Sequence, residues 1–102
     1  MNRLALVFLA LACAACEPAS DQRMVVEASC GQCQFDLPGT GCDLAVRLEG
    51  EAYYIDGATI DDHGDAHAAD GLCNAIRSAR VTGEVVEGRF VATSFELVGP
   101  TR

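Results

Sequence analysis

Two Glu-Gly pairs, Glu49-Gly50 and Glu87-Gly88, each stand between runs that alternate apolar and polar residues or are rich in β-branched and aromatic ones. A two-residue break carrying glycine between such runs specifies a tight hairpin, so much of this chain is committed to antiparallel strands. Before the first break, "CDLAVRLE" puts Cys42, Leu44, Val46 and Leu48 on one face and Asp43, Arg47 and Glu49 on the other. After it, "AYYID" runs over 52–56 and stops at Gly57. "RVTGEVV" and "RFVATSFELV" flank the second break, and Gly83 inside the first of them predicts a bulge or sharp bend. Upstream, "VVEASC" and "QFDL" read as one strand broken near Gly31, followed by the turn cluster "PGTG" over 38–41.

Between the two strand blocks the spacing predicts one helix, roughly 66–79, with Leu72, Cys73, Ile76 and Ala79 on one side and Asp65 or Asp70 as its N-cap. The expected fold is therefore mainly β with one helix. Its order, β-β-β-α-β-β, is that of an OB-like five-stranded barrel in which the helix plugs one end.

The amino-terminal region reads as an export signal. Arg3 precedes the apolar run "LALVFLALA" and then "CAAC", a charged, apolar and small-residue order too short to cross a bilayer as a helix. The stretch Cys13-Ala14-Ala15-Cys16 resembles the lipobox of bacterial lipoproteins, which makes Cys16 the expected lipidated residue. The expected organisation is a signal peptide over 1–15, a polar tether over 16–24 and an OB-like domain over 25–99. An envelope location follows, periplasmic or held at the membrane by the lipid, with the chain a monomer. All seven basic residues are arginines against 15 acids, a formal net charge of −8. Such a balance repels phosphate backbones and anionic headgroups, so nucleic acid is not an expected partner.

With Cys16 committed to lipid, an even set of thiols remains: Cys30, Cys33, Cys42 and Cys73. In an oxidising compartment such a set in a small domain serves as staples. Thiolate and imidazole also suit zinc and copper, and His63 and His67 lie four apart, on one helix face if the helix reaches back that far. The candidate metal ligands are thus Cys30, Cys33, Cys42, His63, His67 and Cys73. Asp61, Asp62 and Asp65 are placed to orient an imidazole or to cap the helix. A redox role for "CGQC" needs the first thiol at a helix N-terminus, whereas "QFDL" is expected to continue as strand.

Together the stretches "CGQCQF", "GCDLAV", "YYIDG", "DDHGDAHA", "GLCNAIR", "VTGEVV" and "RFVATSF" resemble a small family of bacterial secreted and lipoprotein domains of unassigned function. The resemblance implies that the four thiols and both histidines belong to the family pattern, and it brings no activity with it. Nucleophile-elbow, phosphate-loop and HExxH motifs are missing from the sequence. The expectation is a binding module, not an enzyme, with a zinc or copper site. A disulfide-stapled module recognising an envelope protein, peptide or glycan is the alternative. Metal-assisted hydrolysis at the histidines and thiol exchange at Cys30 and Cys33 stand behind both.

Overall fold

Strands form where alternation and β-branched residues coincide: β1 (Met24–Cys30), β2 (Leu44–Leu48), β3 (Glu51–Asp56), β4 (Arg77–Val86) and β5 (Arg89–Val98). The computed structural model describes residues 23–99, so the expected signal segment over 1–15, the expected lipidation residue Cys16 and most of the expected tether lie outside the described residues. Both Glu-Gly pairs are two-residue hairpin turns, closed by Leu48 opposite Glu51 and by Val86 opposite Arg89. Glu49 and Gly50 have φ of 52° and 86°, Glu87 and Gly88 of 53° and 82°. Positive φ at both central positions is the type I′ turn, whose twist matches that of the strands it joins.

The strands close into a barrel in the order β1-β2-β3-β5-β4, with β4 returning to β1. All pairs are antiparallel except β3 with β5, which meet in parallel at Ile55 with Phe90 and Asp56 with Val91. The register of β4 against β5 shifts between Thr82 and Gly83, which is the bulge expected there. Mainly β, five-stranded and closed, the barrel is the architecture the hairpin pattern predicts.

Inward residues alternate along each strand, as a half-buried sheet requires. Val26, Ala28 and Cys30 of β1, Leu44 and Val46 of β2, Ile55 of β3, Ala79 and Val81 of β4 and the fully buried Phe90 of β5 form one core. Ala45 points the other way yet is also buried, because the outer face of β2 is covered there.

Two expectations about helices are corrected. "QFDL" is not strand: β1 ends at Cys30, and the next residues make a single helical turn, α1 (Gly31–Gln34). It packs over β2 so closely that a Cβ on Gly31 would lie 2.6 Å from Tyr54 Cε1 and 3.1 Å from Ala45 Cβ. Glycine permits this approach without displacing the Tyr54 ring. The second correction concerns 66–79, where no regular helix forms. Ile60–His63 make a 3-10 turn, the chain then runs through successive turns, and the end of the expected helix, from Arg77, belongs to β4.

The segment still plugs the barrel, because Ile60, Ala66 and Leu72 join the core. Side chains and local turns do the work of a helical ladder. Asn74 Nδ2 donates to the carbonyls of His67 and Ala68 at 3.0 and 2.9 Å, and the Cys73 N–H donates to the Ala66 carbonyl at 2.9 Å. Such local side-chain bonds compete with helix formation, which is the reason the periodicity misleads here.

Candidate metal centre

β1 delivers Cys30 to one end of the barrel, where it is fully buried and caps α1. The three-residue step around the α1 turn returns Cys33 to the same place, exposed at the surface. Cys42 precedes β2, and the pairing of Cys30 with Leu44 brings it beside β1. Cys73 comes from the plug. The Cys30 N–H donates to the Leu72 carbonyl at 2.9 Å, and the Ser29 hydroxyl reaches the carbonyls of Leu72 and Ala75 at 2.8 and 2.7 Å. Ser29 is the buried polar residue of the core, and these bonds to the plug satisfy it.

The four sulfurs therefore converge. All lie within 4.8 Å of one another and all are free thiols. Cys30 Sγ is 2.7 Å from Cys33 Sγ and 3.1 Å from Cys42 Sγ. Cys42 Sγ is 2.6 Å from Cys73 Sγ and 4.0 Å from Cys33 Sγ. In a tetrahedral zinc tetrathiolate, with Zn–S of about 2.3 Å, sulfurs stand about 3.8 Å apart, so an ion would spread the closer pairs. The donor chemistry fits such an ion: four soft ligands from three backbone segments face one point, and Cys30 Sγ already accepts the Cys33 backbone N–H at 3.3 Å.

Electrostatics divide the thiols. Burial alone would raise Cys30, but its hydrogen bonds with the Cys33 and Cys42 thiols and with the Cys33 backbone N–H outweigh it and hold Cys30 below the ordinary 9.0. The hydrogen bond to Cys30, with burial adding, pushes Cys33 up to about 11. Burial first, and then hydrogen bonds to Cys73 and Cys30, push Cys42 well above the usual thiol range. One member is thus biased towards the thiolate and two against it.

Two glutamines and an aspartate beside the thiols clamp the segments, and the sequence reading passed over them. Gln32 Nε2 donates to Asp43 Oδ2 at 2.8 Å and its Oε1 accepts the Asp43 N–H at 2.9 Å, tying α1 to the Cys42 turn. The Gly31 N–H donates to the Asp43 carbonyl at 2.7 Å, and Gln34 Nε2 to the Cys73 carbonyl at 3.0 Å. Polar residues interleaved with thiols in "CGQCQ" and "GCD" were the available signal.

The other predicted residues are engaged differently. The His63 ring packs against Phe95 at 4.7 Å between centroids, and its buried Nε2 has no hydrogen-bond partner among the described residues. Asp62 Oδ2 accepts the Thr59 hydroxyl at 2.9 Å, and Asp65 Oδ1 accepts the His67 backbone N–H at 3.0 Å, so these carboxylates build turns. Asp61 is exposed on the rim of a groove of about 580 Å³. The same groove is walled by Cys42, Asp43, Tyr54 and Arg89. Arg89 is paired with Asp56 at 2.8 Å. The ligand atoms that converge are the four thiols, and neither histidine is among them.

Comparison with known proteins gives a single family. A family model described as a family of unknown function (DUF6370) matches residues 24–98, which takes in β1 to β5 and all four thiols. No curated protein and no solved structure matches the chain.

Proposed function

The chain belongs to the DUF6370 family, and on that premise we propose that it is an exported, lipid-anchored module that binds one metal ion through Cys30, Cys33, Cys42 and Cys73. Zinc is the favoured ion, since a tetrahedral set of four thiolates is its usual closed site, with copper the next candidate. The observation that carries this reading is the convergence of all four sulfurs within 4.8 Å from three separate backbone segments. Staples alone need thiols to meet in twos. A metal needs them to meet at one point.

The site's role in this reading is binding, with Cys16 supplying the attachment to the membrane and the barrel presenting the thiols at one end. The histidines stand outside the ligand set and leave the ion without a nitrogen donor from this chain. A second reading, a stapled module that recognises an envelope protein, peptide or glycan, draws on the groove walled by Tyr54, Arg89 and Asp43. Its size, about 580 Å³, lies within the span of small-ligand sites.

Native and denaturing mass spectrometry of the chain, with thiol alkylation, tests both. One zinc per mature chain in the native state, and four alkylatable thiols once it is stripped, with Cys13 removed and Cys16 lipidated, is the expected result. Reduced protein that takes up neither zinc nor copper ends the metal reading. Cys42→Ser, which removes a ligand but keeps the barrel strands, should weaken zinc binding by at least tenfold, while His63→Ala and His67→Ala should leave it unchanged.

A further inference from the structure

The four sulfurs are unevenly spaced. The two shortest separations, Cys30 to Cys33 at 2.7 Å and Cys42 to Cys73 at 2.6 Å, share no residue. Four thiols can pair in three ways, and either alternative must use one of the wider contacts, 3.1 Å between Cys30 and Cys42 or 4.0 Å between Cys33 and Cys42. Access is uneven as well: Cys33 is exposed, Cys30 is buried behind it, and Cys42 walls the open groove.

We propose that the centre is also a modification site, in which the disulfide of a small thiol converts the four ligands into two bridges, Cys30–Cys33 and Cys42–Cys73, and expels the ion. Expulsion rests on the metal reading above, whereas the pairing rests on the sulfur geometry alone. Cys33 Sγ attacks one sulfur of the small disulfide, forming a mixed disulfide and releasing one small thiolate. Cys30 Sγ, already adjacent, attacks Cys33 Sγ, closes the first bridge and displaces the second small thiolate. Cys42 reacts from the groove in the same way and Cys73 resolves it.

The balance closes without a further reactant. Four cysteine thiolates give up four electrons and become two disulfides. Two small disulfides accept those electrons and, with four protons from water, leave as four thiols. The ion departs as a dication because every ligand in the cluster has been consumed. Neither bridge requires the segments to exchange neighbours, since Gln32 with Asp43 and Gln34 with the Cys73 carbonyl already hold them together.

The order of events inverts that of a dithiol whose first cysteine is the exposed one. Here the second thiol of "CGQC" meets the oxidant and the first, beneath it, resolves. The mixed disulfide is accordingly expected on Cys33.

The test uses the mature chain from Cys16, with Cys16 lipidated so that four thiols remain, loaded with zinc and titrated with oxidised glutathione. Released zinc is read with a chromophoric chelator, and reduced glutathione is quantified. The bridges are then mapped by mass spectrometry after cleavage at arginine and aspartate. The proposal expects one zinc released and two glutathione disulfides consumed per chain, an internal bridge in peptide 24–35, and peptide 36–42 joined to peptide 70–77. A link from 24–35 to either other peptide, a covalent dimer, or zinc retained while the thiols oxidise would overturn it. Cys33→Ser should leave only the 36–42 to 70–77 link, and a bridge using Cys30 in that variant counts against the pairing. If the chain takes up no zinc, the metal reading and the expulsion fall together, and mapping the metal-free chain still decides the pairing.

Discussion

The two ends of the barrel are closed by different means. At the far end, β2 to β3 and β4 to β5 are joined by two-residue turns whose backbone shape alone sets the strand register. At the thiol end, residues 31–43 and 57–76 connect the strands and are held by individual polar bonds from Ser29, Gln32, Gln34 and Asn74. The first end needs nothing beyond its own chain. The second gathers groups from distant segments around four mutually close thiols, an arrangement that becomes stiffer once a metal or bridges cross-link it. The comparison teaches that the regular end provides the frame and the irregular end gathers the four thiols.

The largest effect that would break this contrast is zinc removal. Zinc at a thousand times its dissociation constant stabilises the folded chain by about 4 kcal/mol. Stripping it should raise amide exchange in 31–43 and 66–75 while the strand amides stay protected below global unfolding. Uniform loss of protection in hydrogen-exchange mass spectrometry would show that the two ends are not separable. A core change acts in the opposite sense. Phe90→Ala, which empties the fully buried centre of the barrel, should cost about 3 to 5 kcal/mol in denaturant unfolding whether or not metal is bound.

Ser29→Ala sharpens the comparison at its boundary. It removes the hydroxyl that reaches the Leu72 and Ala75 carbonyls, leaves the Ala75 carbonyl short of that donor while Leu72 keeps the Cys30 N–H, and should cost about 1 to 3 kcal/mol. Zinc affinity should fall with it, since Leu72 and Ala75 flank Cys73.

The pH response follows from the thiols. Cys33 is raised from 9.0 to about 11 in the folded metal-free chain, so its contribution to stability is complete below pH 9 and is lost as pH climbs towards 11. Cys42 acts in the same direction, and so does Tyr54, which burial raises above its usual 10.0. Cys30 acts in reverse: its contribution is present above pH 9 and is lost as pH falls through its lowered folded value. The melting temperature of the metal-free chain should therefore drop between pH 9 and 11, less steeply in Cys33→Ser. In the zinc-loaded chain ligation would already have released the thiol protons to solvent, and the contribution of these thiols should be absent. The smallest effect belongs to the frame's surface: Glu27→Ala, which breaks the exposed cross-strand pair with Arg47, should change stability by about 1 kcal/mol at most.

Most of the barrel was legible in the chain, and most of the site was not. Each hairpin is a local statement: Glu-Gly between alternating runs needs no knowledge of the remaining chain, and β3, β5 and the bulge at Gly83 follow from it. The plug was misread as helix because apolar spacing over 66–79 records which residues are buried, not how their backbone groups are paired. Glycine at 71 is one trace of the difference, since a Cβ there would collide with the Asp65 and Ala66 carbonyls. The shared face of His63 and His67 depended on that helix, and the two residues lie instead on a 3-10 turn and a following turn.

The sequence by itself determined that this chain forms five short strands with two tight turns and carries four thiols near them, because turn preference and side-chain alternation act over a few residues. Only the tertiary structure decided that all four sulfurs share one point and that His63 packs against Phe95. Cys30 and Cys73 are separated by 42 intervening residues, and their approach depends on barrel closure and on Ser29 holding the plug, two long-range events with no local sequence signal.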